Sequence, residues 1–144
     1  MNPSGKSKTL PLVRVLVEGS ATAKVLVLQE SLSFWGGVDP LTGNIIDSHH
    51  PQCGQSISQT LLVLPGIKGS TAGSGALLEC LYSGNGPAAL LLCQTDTSAI
   101  IAVTAYQALS GITIPVAEIT VETAQQLKND TKWCVEQRYL TALP

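Results

Sequence analysis

Two short apolar runs, Thr60-Leu-Leu-Val-Leu64 and Pro87-Ala-Ala-Leu-Leu-Leu-Cys93, constrain the fold of this chain more than any other feature. Neither contains a charge, so both are predicted as inner strands covered on both faces, the pattern of a sheet flanked by further layers. A helical pattern follows each: residues 76–82, stopped by Gly84-Asn85-Gly86, and residues 98–109, with Asp96 or Thr97 as the cap. Residues 112–117 then return to strand. The run strand, helix, strand, helix, strand implies parallel pairing through crossover helices.

The N-terminal half reads differently. Leu12-Val-Arg-Val-Leu-Val-Glu18 and Ala23-Lys-Val-Leu-Val-Leu28 follow a strand pattern on either side of a Gly19-Ser20 break, and this half is predicted to be antiparallel. Residues 122–128 predict a short helix, and Lys132-Trp-Cys-Val-Glu-Gln-Arg-Tyr139 fits either a last strand or a docking segment. The fold class is therefore α/β, with N-terminal antiparallel strands and C-terminal β-α-β units. A chain of 144 residues suits one domain, here 12–144, after a flexible N-terminal tail over 1–11.

Hydrophobic residues make up 44% of the chain and charged ones 12%, enough apolar material for a core and too little charge for disorder. Eight Lys and Arg against ten Asp and Glu, with no basic stripe, argue against nucleic acid as a partner. Apolar stretches such as residues 88–92 fall far short of the roughly 20 residues that cross a bilayer, so no membrane is expected either. The N-terminal lysines are followed by a segment that Arg14 and Glu18 interrupt, which a signal-peptide core would not tolerate, so a cytoplasmic protein is expected. Cys53, Cys80, Cys93 and Cys134 contain no Cys-x-x-Cys pair, so no metal is expected on this chain alone and the thiols read as reduced, buried and inert.

From Ser31 to Gln59 apolar periodicity fades and turn formers dominate: Gly36-Gly37, Asp39-Pro40, Thr42-Gly43-Asn44, His50-Pro51 and Gly54. Loops longer than about 12–15 residues are uncommon and usually functional or disordered. Phe34, Trp35, Val38, Ile45 and Ile46 offer anchors, which favours function, and Phe34 with Trp35 reads as a pair of core plugs. Within this stretch His49 and His50 sit beside Asp47. Neighbouring side chains point apart in extended backbone, so one structural and one exposed imidazole is expected. Asp39 can serve as a turn former bonding its own backbone.

The second informative segment is Gly69-Ser-Thr-Ala-Gly-Ser74, between an inner strand and a helix start. Unpaired amides at a helix N-terminus carry partial positive charge and can bind a carboxylate or phosphate or stabilise an oxyanion. Ser70 in that field can act as a base, although the chain offers no adjacent triad. Ser, Thr and Gly are also favoured at helix starts for capping alone. The pattern is not Gly-x-x-x-x-Gly-Lys-Ser/Thr, so nucleotide hydrolysis has no support.

Taken together, Leu32-Ser-Phe-Trp-Gly-Gly-Val-Asp-Pro-Leu-Thr-Gly-Asn-Ile-Ile-Asp-Ser-His-His-Pro51, Gly54-Gln-Ser56 and Gly69-Ser-Thr-Ala-Gly-Ser74 closely resemble the small subunit of the aconitase X family, from the first strand through Ile119. The resemblance implies a swivelling β/β/α domain of aconitase type. It also implies a separate large catalytic subunit whose cysteines hold iron or an iron–sulfur cluster, none being bound by this chain alone. The implied activity is that of a hydro-lyase acting on a small hydroxy acid. Ser70 aligns with the family's proton acceptor, Thr71, Gly73 and Ser74 would shape its loop, and Ser33, Gly36, Gly37, Asp39 and His50 would line the shared cleft. Cys53 stands where the family pattern leads one to expect His or Tyr.

Two family activities compete: dehydration of cis-3-hydroxy-L-proline to a pyrroline carboxylate, and dehydration of phosphomevalonate in the mevalonate pathway. The stretch beyond Val121, including Trp133-Cys134, exceeds the length expected of the archaeal form, and the low charge content is unlike that of a hyperthermophile protein. Both points favour hydroxyproline. The alternatives outside catalysis are an anion-binding module whose Ser/Gly loop holds a metabolite, and a scaffold domain.

Overall fold

The computed structural model describes residues 8–68 and 72–144. Eight strands and four helices follow in the order β1 (Thr9–Pro11), β2 (Arg14–Val17), β3 (Ala21–Val27), α1 (Phe34–Gly37), β4 (Leu61–Leu64), α2 (Gly73–Tyr82), β5 (Ala89–Leu92), α3 (Thr97–Ser110), β6 (Val116–Glu118), α4 (Val121–Gln125), β7 (Lys132–Glu136) and β8 (Tyr139–Ala142). The strands lie side by side as β1-β8-β7-β3-β4-β5-β6-β2.

The pairs β3–β4, β4–β5 and β5–β6 are parallel, as the alternation of strand and helix requires. All other pairs are antiparallel. The early strands do not pair with each other: β2 closes the far edge against β6, and β3 pairs with β7. The antiparallel part is thus assembled from both ends of the chain. Strand β3 joins the two parts, because Ala21–Lys24 face β7 whereas Val25–Val27 face β4.

Side-chain alternation turns this array into three layers. On one face of the central strands, Leu62, Leu64, Leu90, Leu92 and Val116 pack with Leu77, Leu81, Ala99 and Val103 of the helices. On the other, Leu61, Val63, Ala89, Leu91 and Ala117 pack against Trp133, Val135 and Leu140 of the antiparallel strands. Every residue of β4 and β5 is buried, which is why those two runs carry no charge. The β/β/α layering follows directly.

Several boundaries differ from the sequence reading. Residues 9–11 fall inside the expected tail yet form β1, paired to Tyr139, Leu140 and Thr141; Pro11 is tolerated there because β1 is an edge strand. The strand expected at 112 begins only at Val116, since Pro115 has no N–H to give and Gly111, at φ +76°, has just ended α3. Asp96 caps α3, its Oδ1 accepting from the amides of Ser98 (2.8 Å) and Ala99 (3.2 Å). The open choice at 132–139 resolves as the β7–β8 hairpin. No described helix is long and apolar enough to cross a membrane.

Candidate functional site

In an open sheet with parallel strands, ligands bind beyond the carboxyl ends of those strands. The two motifs singled out from sequence both emerge there, one after β3 and one after β4. Residues 29–60 form a crescent over the helix-side core, pinned by Phe34, Val38, Ile45 and Ile57, each 3% exposed or less. Trp35 and Ile46, expected as a plug and an anchor, are instead 63% and 52% exposed. The reason is local. Trp35 adopts an extended conformation inside α1 and Gly36 a left-handed one (φ +77°), so the chain reverses after Phe34 and turns the indole outward.

Ser33 opens this turn and donates its hydroxyl to the Trp35 carbonyl (2.9 Å). Gly37 is buried beside Leu32 and Ser33, and its carbonyl accepts from the Ile46 amide (2.9 Å). The turn is tied to the second motif by the Lys68 amide, which donates to the Leu32 carbonyl (2.9 Å), and by a parallel bridge between Leu32 and Ile67. Gly66 sits between Ser31 and Gln94, so the loops after β3, β4 and β5 meet at this point. Beyond it Gly73 is buried at the start of α2, Ser74 follows within its first turn, and Ala72 supplies no side-chain cap. Ser70 and Thr71 lie outside the described residues.

Asp39 is not brought to this point. Its carboxylate accepts from the Leu41 amide (2.9 Å), the self-bonded turn expected of it, and its carbonyl accepts from Gly43 (2.7 Å). Asn85 clasps that turn through the Leu41 carbonyl (2.9 Å), and Gly43, at φ +78°, packs so closely that a Cβ would lie 2.7 Å from the Asn85 carbonyl. Asn85 follows α2, so Asp39 lies at the opposite end of a helix about 15 Å long from Gly73.

The two histidines separate as expected, with His50 5% exposed and the His49 side chain 95% exposed. His50 Nδ1 accepts from the Gln52 amide (3.0 Å), which leaves the ring proton on Nε2 to donate to the Glu30 carbonyl (3.2 Å). Both ring nitrogens are therefore spent inside the crescent, and His50 is its internal pin rather than a group facing solvent. The Asp47 carboxyl is held below the usual carboxylate range, first by the His49 amide at 2.9 Å and then by the charge of Lys68. Lys68, bonded to Leu32, and Ser31 and Gln94, packed around Gly66, lie where the loops meet; sequence periodicity gave no signal for any of the three.

The cysteines are scattered. Cys80 is buried, and its thiol is pushed up to about 11 by desolvation first and by Glu79 and Asp39 next. Cys93 is raised by burial and Glu122. Cys53 is exposed rather than buried, since the crescent turns it away from the core. Among the described residues no three His, Cys, Asp or Glu side chains group closely enough to hold a metal ion, so these residues do not fit a metal centre.

The architecture has clear counterparts. The chain aligns with the holo-form crystal structure of Thermococcus kodakaraensis aconitase X at a TM-score of 0.83 and 29% identity, over 95% of this chain and 99% of that one. That coverage removes the expected surplus beyond Val121, because the β7–β8 hairpin is part of the shared fold. A cis-3-hydroxy-L-proline dehydratase of Pseudomonas aeruginosa is 41% identical over 112 residues, 78% of this chain, although the chain spans only 19% of that protein. A phosphomevalonate dehydratase small subunit of Methanothrix thermoacetophila is 36% identical over 120 residues, 83% of each chain. The family model that matches residues 12–141 is that of the aconitase X swivel domain. With the β/β/α layers and that match, this chain belongs to the aconitase X swivel-domain family.

Proposed function

We propose that this chain is the small, mobile part of a hydro-lyase, which dehydrates cis-3-hydroxy-L-proline to 1-pyrroline-2-carboxylate once joined to a large subunit holding iron or an iron–sulfur cluster. Ser70 is the proton acceptor. It removes the proton on the carbon next to the carboxylate, the C3–O bond breaks, and that proton and the departing hydroxyl together make up the water lost. The enamine left behind tautomerises to the cyclic imine. A serine is a weak base in water, but an α-helix leaves its first four amides without intrahelical acceptors, and their partial positive charge favours an oxyanion nearby. General base catalysis of this kind contributes about 10²–10⁴-fold.

The observation that carries the reading is the tie between the motifs. The residue that leads into the Gly69-Ser70 step is bonded to Leu32, immediately before the Ser33–Gly37 turn. Ser33, Gly36 and Gly37 then line the cleft beside Ser70, with Thr71, Gly73 and Ser74 shaping the base's loop. Asp39 and His50 hold the crescent in shape from within. The second reading, phosphomevalonate as substrate, is favoured by the match to a phosphomevalonate dehydratase small subunit over 83% of each chain.

Reconstituting this chain with an aconitase X large subunit, and presenting both substrates, tests the proposal. The expected product is the pyrroline carboxylate. Anhydromevalonate phosphate with no cyclic imine overturns the substrate assignment, and turnover of neither overturns the hydro-lyase reading.

A further inference from the structure

The end of the molecule where the parallel strands finish carries two apolar features that no reaction step uses. The first is a knob. Trp35 and Ile46 are both more than half exposed, and the Gly37 carbonyl holds the Ile46 amide two residues along from the indole. The left-handed Gly36 and the bond from the Ser33 hydroxyl to the Trp35 carbonyl keep the ring turned outward. The second is a groove of about 320 Å³ lined by Val27, Leu28, Pro65, Cys93, Val121 and Ala124, with Val121 exposed at the start of α4. Gly66, packed between Ser31 and Gln94, joins the two: Pro65 and Cys93 are its neighbours toward the groove, and the Leu32–Ile67 bridge leads to the knob.

An indole left in water forgoes one of the largest apolar burials a side chain offers, and Trp is enriched among the residues that anchor interfaces. Ile101 and Leu109 of α3 are exposed too, but two turns of helix, about 12 Å, separate them, and isolated apolar side chains need no partner. Charge and position narrow the occupant of the knob. The crescent holds Glu30, Asp39 and Asp47 and no Lys or Arg, and with Lys68, bonded to Leu32, counted in, the sum is still negative. Two copies meeting knob to knob would oppose like charges. The dehydratase reading places the Ser33–Gly37 turn in the cleft, and Trp35 belongs to that turn, so the body that closes the cleft meets the knob. In the longer Pseudomonas relative the matched stretch is only 19% of one chain, so a far larger body accompanies it there. Resting on the dehydratase reading, we infer that the knob and the groove together seat the large subunit, whose facing surface offers an apolar pocket for Trp35 and an apolar side chain for the groove.

The test measures the dissociation constant between this chain and an aconitase X large subunit. Trp35→Ala and Val121→Lys are each expected to raise it about 10- to 100-fold. Leu109→Ala, the exposed control on α3, is expected to change it by less than about twofold. All three side chains are in solvent, so circular dichroism and urea midpoints of the lone variants should match the wild type, which separates weak docking from misfolding. Wild-type affinity in either Trp35→Ala or Val121→Lys, or equal weakening by Leu109→Ala, overturns the docking face while the dehydratase reading stands. Self-association of the lone chain that Trp35→Ala abolishes, with the pair unaffected, overturns the choice of occupant in favour of a second copy. A wild-type pair that assembles through this face but dehydrates neither substrate overturns the dehydratase reading alone, and wild-type chains that stay apart overturn both.

Discussion

Strands β4 and β5 and the crescent of residues 29–60 lie against the same core, but different forces specify them. Each residue of the two strands is buried, and successive side chains alternate between the helix layer and the antiparallel layer. Such packing is non-directional, and volume and branching decide it. The crescent sinks only a few side chains, chiefly Phe34, Val38, Ile45 and Ile57. Between those anchors its path is drawn by short polar bonds: Asp39 to Leu41, Asp47 to His49, His50 to Gln52 and Ser56 to Ser58. The part of the molecule that carries the motifs is therefore set by directional bonds. Its exposed side chains can serve chemistry without weakening the core.

Substitutions in the two regions should differ in size and kind. Leu91→Ala, at a site with no exposure, is expected to lower the unfolding free energy by about 2–5 kcal/mol, measured by urea denaturation. His50→Ala removes the acceptor of the Gln52 amide and the donor to the Glu30 carbonyl, and a loss of about 1–3 kcal/mol is expected. The amides of 47–53 should then exchange hydrogen faster while those of β4 and β5 hold. Uniform acceleration across both regions would show that the crescent is not an independent unit. Trp35→Ala should change stability by less than about 0.5 kcal/mol, because its ring is largely in solvent. A loss approaching that of Leu91→Ala would erase the distinction.

The same contrast explains what could be read in advance. The inner strands, the crossover helices and the Asp96 cap were legible because period-2 and helical patterns are local consequences of burial. The split between His49 and His50 followed from backbone alternation alone. The outward turn of Trp35 was not legible, since it depends on the left-handed Gly36, and neither was the exposure of Cys53. Strand β1 was missed because its partner, β8, lies at the far end of the chain. Ser33 and Gly37 share one turn after β3, whereas Asp39 is held by Asn85 beyond the end of α2.

The central claim is that the hydroxyl of Ser70 takes the proton. The most direct measurement is turnover of the reconstituted pair carrying Ser70→Ala, with subunit assembly and metal content checked in the same preparation. The account predicts an assembled, metal-replete complex whose rate falls by at least about 100-fold. An equally assembled complex that turns over at the wild-type rate would contradict it.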